Sequence, residues 1–232
     1  MGSAIVWGAL AASSLVIGAL LGLARTWPER WIGLVLAFGA GALISAVAFE
    51  LAEEGGDVGG GVAVAVGLVI GAFTYWGLNR VVEARSGGSN AGTALALGAF
   101  LDGIPEQLVL GIGFAAGGEV SIGLLVAIFV SNLPEAIGSA TEMRAAGRKP
   151  SQIRLLWIAV AVVCLLATIV GYAIADSTSG ELEGGIDGFA AGALLVMLID
   201  SMVPEATRKA GDVAGLLTTL GFAVAAGLSA LG

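Results

Sequence analysis

The sequence predicts an all-α membrane protein, a single transmembrane domain over residues 1–232 built as a bundle of eight membrane-spanning helices. Of its residues 57% are apolar and 12% are charged, which is about half the charged fraction of soluble domains. Mean hydropathy is +0.97. A soluble fold with so few ionisable groups could not cover its surface, so we expect the chain to lie in a lipid bilayer.

The residue types that the chain lacks exclude several classes of protein. It has no histidine, which excludes Ser-His-Asp triads, zinc fingers and histidine-based metalloenzymes. Cys164 is the single cysteine and lies inside an apolar run, so a disulfide scaffold is excluded. A net charge of −8 argues against nucleic-acid binding. Without a nucleophile–base pair, we do not expect an enzyme.

Each predicted span is a run of about 20 mostly apolar residues, the length that crosses the hydrocarbon core of a bilayer. The runs are 3–24, 31–52, 59–79, 92–115, 120–143, 153–175, 186–207 and 212–231. The first run could be mistaken for a secretion signal. No basic residue precedes it and it exceeds the usual signal core, so we keep it as a span of the mature protein.

The charged residues of the connections predict the orientation. All ten basic residues flank odd-numbered connections: Arg25, Arg30, Arg80, Arg85, Arg144, Arg148, Lys149, Arg154, Arg208 and Lys209. The even-numbered connections carry only acids: Glu53, Glu54, Asp57, Glu119, Asp176, Glu181, Glu183 and Asp187. Because basic connections stay on the cytoplasmic side, we expect both termini outside, in a multi-pass protein of the plasma or inner membrane.

When the eight acids of the even-numbered connections and the four near the cytoplasmic connections (Glu29, Glu83, Glu142 and Asp212) are set aside, six acids remain inside the predicted spans, where ionised side chains are rare. They are Glu50, Asp102, Glu106, Glu135, Asp200 and Glu205. A charge at mid-bilayer costs at least about 2.5 kcal/mol, so such residues usually line a polar path or share a counter-ion. No Lys or Arg lies in the interior of a span, and the acids must therefore be protonated, hydrated or bound to a cation.

Spans four and five carry one pattern in opposite directions. Span four contains Phe100-Leu-Asp-Gly-Ile-Pro-Glu-Gln and span five contains Phe129-Val-Ser-Asn-Leu-Pro-Glu-Ala, at an offset of 29. A second match, at an offset of 151, aligns Gly41-Ala-Leu with Gly192-Ala-Leu and Glu54 with Glu205. Adjacent spans are antiparallel, so we predict inverted repeats, helices 1–3 with 6–8 and helix 4 with helix 5, as in many transporters.

The repeated motif predicts a metal site. Asp102 and Glu106 are four residues apart, as are Ser131 and Glu135, so each pair shares a helix face. Each motif proline removes a backbone donor and frees a carbonyl four residues earlier. With the amide of Asn132, these groups predict an oxygen-rich cage for a divalent cation.

The remaining intramembrane acids, together with Glu54 just beyond the second span, are candidates for a path to and from that cage. We expect Glu50 and Glu54 near the outer entrance and Glu205 near the cytoplasmic exit, with Asp200 as a proton or metal relay. Each has a plain alternative: a solvated helix end for Glu50, Glu54 and Glu205, and a hydrogen-bonded scaffold role for Asp200.

The two motifs resemble the paired signatures of the ZIP (Zrt/Irt-like) metal-ion transporters, which read His-Asn-x-Pro-Glu-Gly in the fourth helix and a related Pro-Glu in the fifth. The resemblance implies uptake of divalent metal toward the cytoplasm, through a mononuclear or binuclear site between helices 4 and 5, in a homodimer. Carried over, Asp102 stands at the first histidine, Ser131 replaces a stronger ligand, and Glu106 and Glu135 are the core carboxylates.

The departures from the family pattern bear on which metal is carried. Gly103 replaces the usual Asn, and the sixth span contains no acid. An all-oxygen site favours harder ions such as manganese and iron(II), while zinc remains a candidate because carboxylates bind it too. The metal is the transported substrate, and no cofactor is expected. The alternative function is a proton-coupled permease for a non-metal solute, with the buried carboxylates as a proton relay.

Overall fold

The computed structural model of the protein describes residues 2–86, 91–115, 122–178 and 180–229, with side chains throughout except at residues 83, 85, 86, 91–102 and 176. This described part of the chain is helical and contains no β-strand. Its α-helices are α1 (Gly2–Ala24), α2 (Glu29–Ala46), α3 (Glu54–Gly59), α4 (Gly61–Ser86), α5 (Ala91–Ala115), α6 (Ile122–Ala145), α7 (Pro150–Asp176), α8 (Glu181–Met197), α9 (Val203–Ala210) and α10 (Ala214–Ser229).

Six stretches of the described chain are long and apolar enough to cross a membrane. They are Gly2–Ala24, Glu29–Gly59, Gly61–Val82, Ile122–Ala145, Pro150–Ala175 and Glu181–Ser229, and a shorter apolar helix covers Gly103–Ala115. The last stretch has 49 residues and turns at Gly211, where φ is +70°. The all-helical membrane fold is confirmed to this extent, while the count of eight spans and the side of each terminus remain predictions.

Two π-helical segments interrupt the long helices at related positions. Val47–Glu53 joins α2 to α3, and Leu198–Met202 joins α8 to α9. The segments begin 151 residues apart, which is the offset of the second sequence match. A π segment widens the helix by one residue and re-aims the side chains that follow it. The two matched sequences therefore carry the same local deformation.

Helices that are not neighbours in sequence pack side by side in the same direction. Gly18 and Gly22 of α1 lie against Leu133 and Ile137 of α6, in that order. In the same way α5 runs parallel to α7, α4 to α8 and α2 to α10. Small residues let the backbones approach closely, which is how membrane helices associate when lipid gives no hydrophobic driving force.

Helix α6 lies at the centre of the contacts that concern function. It packs against α1, α2, α5 and α10. Against α2 it runs antiparallel, because Gly39 meets Ser131 whereas Glu50 approaches Gly123 near the other end of α6. The outer surface of the bundle is apolar: Val62, Phe73, Leu155 and Leu216 are each at least 69% exposed. Such a surface is suited to lipid.

Candidate functional site

Both Pro-Glu motifs lie within continuous helices. Pro105 is inside α5 and Pro134 is inside α6. A proline in a helix cannot donate to the carbonyl four residues earlier. The carbonyls of Leu101 and Val130, four residues before the two prolines, therefore cannot accept this hydrogen bond. Irregular backbone of this kind is tolerated in a membrane where it is buried in protein or lines a cavity.

The carboxylate of Glu106 connects the two motif helices. Glu106 is buried, with only 2% of the residue exposed. Asn132 Nδ2 donates to Glu106 Oε2 at 2.6 Å, and Ser131 Oγ donates to Glu106 Oε1 at 3.1 Å. Each carboxylate oxygen thus accepts one hydrogen bond from α6. Three of the five predicted site residues are brought together by these bonds.

The backbone of α6 orients both donors. The carbonyl of Ile128 accepts from Ser131 Oγ at 3.0 Å and from Asn132 Nδ2 at 3.0 Å. An amide group has two hydrogens and can serve both acceptors at once, whereas the single hydroxyl hydrogen of Ser131 is shared. Asn132 is consequently the firmer of the two contacts with Glu106.

Glycines allow the neighbouring helices to approach this cluster closely. A Cβ at Gly39 of α2 would lie 3.0 Å from Ser131 Cα and 3.1 Å from Met202 Cε. A Cβ at Gly103 would lie 2.9 Å from Cys164 Sγ of α7. The cluster is therefore enclosed by α2, α7 and the π segment that contains Met202.

The other two predicted ligands are Glu135 and Asp102. Glu135 is half-buried on α6, one turn beyond Ser131. The side chain of Asp102 lies outside the described residues, so its predicted role is not tested. No three Cys, Asp or Glu side chains within the described ranges converge as a metal site. A cage of several carboxylates remains a proposal.

A second polar contact lies beside the motif, which the sequence analysis missed. Gln107 and Thr168 are fully buried, and Thr168 Oγ1 donates to Gln107 Oε1 at 2.6 Å. This hydrogen bond joins α5 to α7 directly after Glu106. The available signal was two polar residues inside apolar spans, where an unpaired polar group is costly.

The predicted pathway acids are spread over the bundle. Glu50 is half-buried, and its Oε1 accepts from Ser229 Oγ of α10 at 2.7 Å. Glu205 pairs with Lys209, at 2.5 Å between Oε1 and Nζ. Glu54 and Asp200 both occupy exposed positions.

Asp187, which the sequence places among the acids of an even-numbered connection, is instead buried within a helix. The residue is 6% exposed within α8, and its Oδ2 would lie 3.1 Å from a Cβ at Gly55. Helix α8 begins at Glu181, five residues earlier than the predicted span. The glycines of α3 and α8 pack closely there and bury the carboxylate.

Comparison with known proteins points to one family. A family model described as "ZIP Zinc transporter" matches residues 79–229, a segment that contains both Pro-Glu motifs. An Arabidopsis thaliana protein that bears the name "Putative zinc transporter" is 29% identical in a 192-residue alignment that covers 78% of this chain. The chain spans only 31% of the length of that relative.

Proposed function

The chain belongs to the ZIP zinc transporter family, and from this premise we propose that it carries divalent metal cations across a cell membrane toward the cytoplasm. The family resemblance that the motifs predicted is thus confirmed. ZIP proteins are transporters, so the chain is a multi-pass membrane transporter and not an enzyme. The metal, the direction of transport and the site are the parts that we propose.

The observation that carries the proposal is the buried Glu106 carboxylate at the junction of α5 and α6. Its two oxygens accept hydrogen bonds from Ser131 and Asn132, so carboxylate, hydroxyl and amide groups of both motifs meet at one place. A divalent cation at this junction would be bound by Glu106 together with Glu135, Ser131, Asn132 and Asp102.

The donor set favours cations that accept oxygen ligands. Carboxylate, hydroxyl and carbonyl oxygens suit manganese and iron(II), and they also bind zinc. Zinc gains further support from the family description and from the name of the Arabidopsis relative. We therefore propose zinc, manganese or iron(II) as the transported class.

The proposed topology has eight spans, with both termini outside. It is supported by the end-to-end order of the contacts. Arg144 at the end of α6 donates to the carbonyl of Leu23 at the end of α1, and Lys209 approaches Gly138. Basic residues of two connections thus lie toward the same end of α6, whereas Glu50 and Ser229 meet near its other end.

The helix pairs also support the proposed inverted repeats. The predicted repeats relate spans 1–3 to spans 6–8 and span 4 to span 5. Helices α1 and α6 form spans 1 and 5, and they correspond to α7 and α5, which form spans 6 and 4. Helices α4 and α8 form spans 3 and 7, and they correspond to α10 and α2, which form spans 8 and 2. All four pairs are parallel and in close contact, as a twofold-related bundle requires.

Transport by purified protein in liposomes tests the function. Glu106→Gln and Glu135→Gln preserve side-chain shape but remove a ligand charge, so uptake of zinc and manganese should fall to background. Glu183→Gln, in the first turn of α8, is the matched control and should retain uptake. Wild-type uptake by folded Glu106→Gln protein would contradict the proposed site.

A thermal unfolding series separates metal transport from the proton-coupled permease. A cation that binds the folded state raises its stability in proportion to RT ln(1 + [L]/Kd). We expect zinc or manganese to raise the unfolding temperature of the wild type but not that of Glu106→Gln. No metal-dependent rise in either protein, together with uptake that follows only a proton gradient, would favour the permease.

A further inference from the structure

The lysine that follows the seventh predicted span is buried. The side chain of Lys209 is 4% exposed, although the sequence places it in a basic connection. Its Nζ lies 2.5 Å from Glu205 Oε1, one turn earlier in α9. The neighbouring Arg208 is 65% exposed and lies 3.9 Å from the same carboxylate. Of these two adjacent cations, only Lys209 is directed into the bundle.

Lys209 fills the space between α2 and α6. A Cβ at Gly33 of α2 would lie 2.5 Å from Lys209 Cβ, and a Cβ at Gly138 of α6 would lie 3.4 Å from Lys209 Nζ. The lysine stem therefore begins against one helix and its ammonium ends against the other. Both contact positions are glycine, which leaves room for the side chain to cross.

The space that the Lys209 side chain crosses lies beside the candidate site, toward the C-terminal end of α6. Ser131 and Gly138 are both on α6, seven residues apart, which corresponds to about 10 Å along the helix axis. Near Ser131, a Cβ at Gly39 of α2 would contact both Ser131 of α6 and Met202 of the π segment that joins α8 to α9. The interface of α2, α6 and the α8–α9 segment thus leads from the Glu106 cluster to Lys209.

Carboxylates lie around the ammonium. Glu205 is its ion-pair partner, and Glu142, one turn beyond Gly138 on α6, interacts electrostatically with both Lys209 and Glu205. A cation that leaves the Glu106 cluster along this interface would meet these carboxylates next. In the present conformation the Lys209 ammonium already occupies the position beside Glu205.

We propose that Lys209 closes the inner end of the transport path as a tethered cation. Its ammonium takes the place at Glu205 that a departing divalent cation needs, and release requires the Lys209–Glu205 pair to open. The identity of the released ion rests on the proposed function. The closure itself is a property of the packing and can be tested without transport.

The test measures access to a thiol at Gly138. Gly138→Cys in a Cys164→Ala background provides a single cysteine, and a Cβ at this position meets no atom closer than the ammonium. A charged, water-soluble thiol reagent is applied to the protein in detergent, so the result does not depend on orientation. Labelling should be slow in this parent. Lys209→Ala should accelerate it by about tenfold, because the labelling rate follows the population of the open state.

Two further variants complete the test. Glu205→Gln retains the lysine but removes its anchor, and it should also accelerate labelling, which provides a second test should Lys209→Ala fail to fold. Arg208→Ala is the matched control and should leave the rate unchanged. Equal rates in the parent, Lys209→Ala and Glu205→Gln would overturn the proposal, as would an equal acceleration by Arg208→Ala.

Metal uptake by the same proteins in liposomes keeps the two proposals apart. If the wild type carries no divalent metal, the proposed function fails, while the labelling rates still decide whether Lys209 closes the interface. If the wild type carries metal and the labelling rates are all equal, the closure fails alone.

Discussion

Asn132 and Glu106 form a 2.6 Å hydrogen bond that joins the two Pro-Glu motifs, and the bond has no counterpart on the other side of the proposed repeat. At the sequence offset of 29, Asn132 corresponds to Gly103 and Glu106 corresponds to Glu135. Gly103 carries no side chain, so it cannot offer Glu135 the amide that Asn132 offers Glu106. The paired motifs are therefore alike in sequence but unlike in chemistry.

The glycine at position 103 leads to a prediction about stability. In an ordinary helix Gly→Ala stabilises by about 1 kcal/mol. A Cβ at Gly103 would lie 2.9 Å from Cys164 Sγ, so we expect Gly103→Ala alone to lower the unfolding temperature. In a Cys164→Ala background the clash is removed, and the same change should then be neutral or stabilising. Thermal unfolding in detergent of the four proteins measures the coupling, and additive effects would contradict the contact.

The hydrogen bond between Thr168 and Gln107 leads to a second prediction. Thr168→Val should cost about 1 kcal/mol, because the buried amide oxygen of Gln107 loses its donor. Thr74→Val is the control, since Thr74 is exposed and its hydroxyl donates to the carbonyl of Ile70 in its own helix. We expect denaturant unfolding to show a loss for Thr168→Val alone. Equal losses would indicate that the contact between α5 and α7 contributes nothing.

Metal preference should depend on position 102. The carboxylate of Asp102 stands where the family motif has histidine, and imidazole suits zinc better than manganese. Asp102→His should therefore raise the zinc-to-manganese affinity ratio by about tenfold, or about 1.4 kcal/mol. Competitive binding of the two metals to both proteins measures the ratio. An unchanged ratio would remove Asp102 from the ligand set.

The topology can be tested by labelling in intact cells. We expect an impermeant thiol reagent applied outside to modify Glu181→Cys and to spare Arg148→Cys, because basic connections remain in the cytoplasm. Cys164 is buried and should give little background. Labelling of both cysteines after the membrane is opened controls for folding. The reverse pattern would refute the proposed orientation.

The sequence was sufficient to predict the class of fold, the family and the motif helices. Each of these follows from local information: apolar runs identify membrane helices, and proline with glutamate at fixed spacing identifies the motif. The offset of 151 between the matched sequences is also the offset between the first residues of the two π segments, Val47 and Leu198. A local deformation repeats when a local sequence repeats, so the repeated sequence is a signal for the repeated π segment.

The sequence alone therefore determined which residues share a face of each helix, and hence that Ser131 and Glu135 lie on one side of α6. Which of these faces meet depends on how the helices pack in three dimensions. Close packing at Gly39, Gly33 and Gly138 brings α2, α6 and α9 together, and this contact buries Lys209. Asp187 becomes buried by the approach of α3 to α8 in the same way. Burial of a charged side chain depends on contacts between distant segments, and periodicity within one helix carries no information about them.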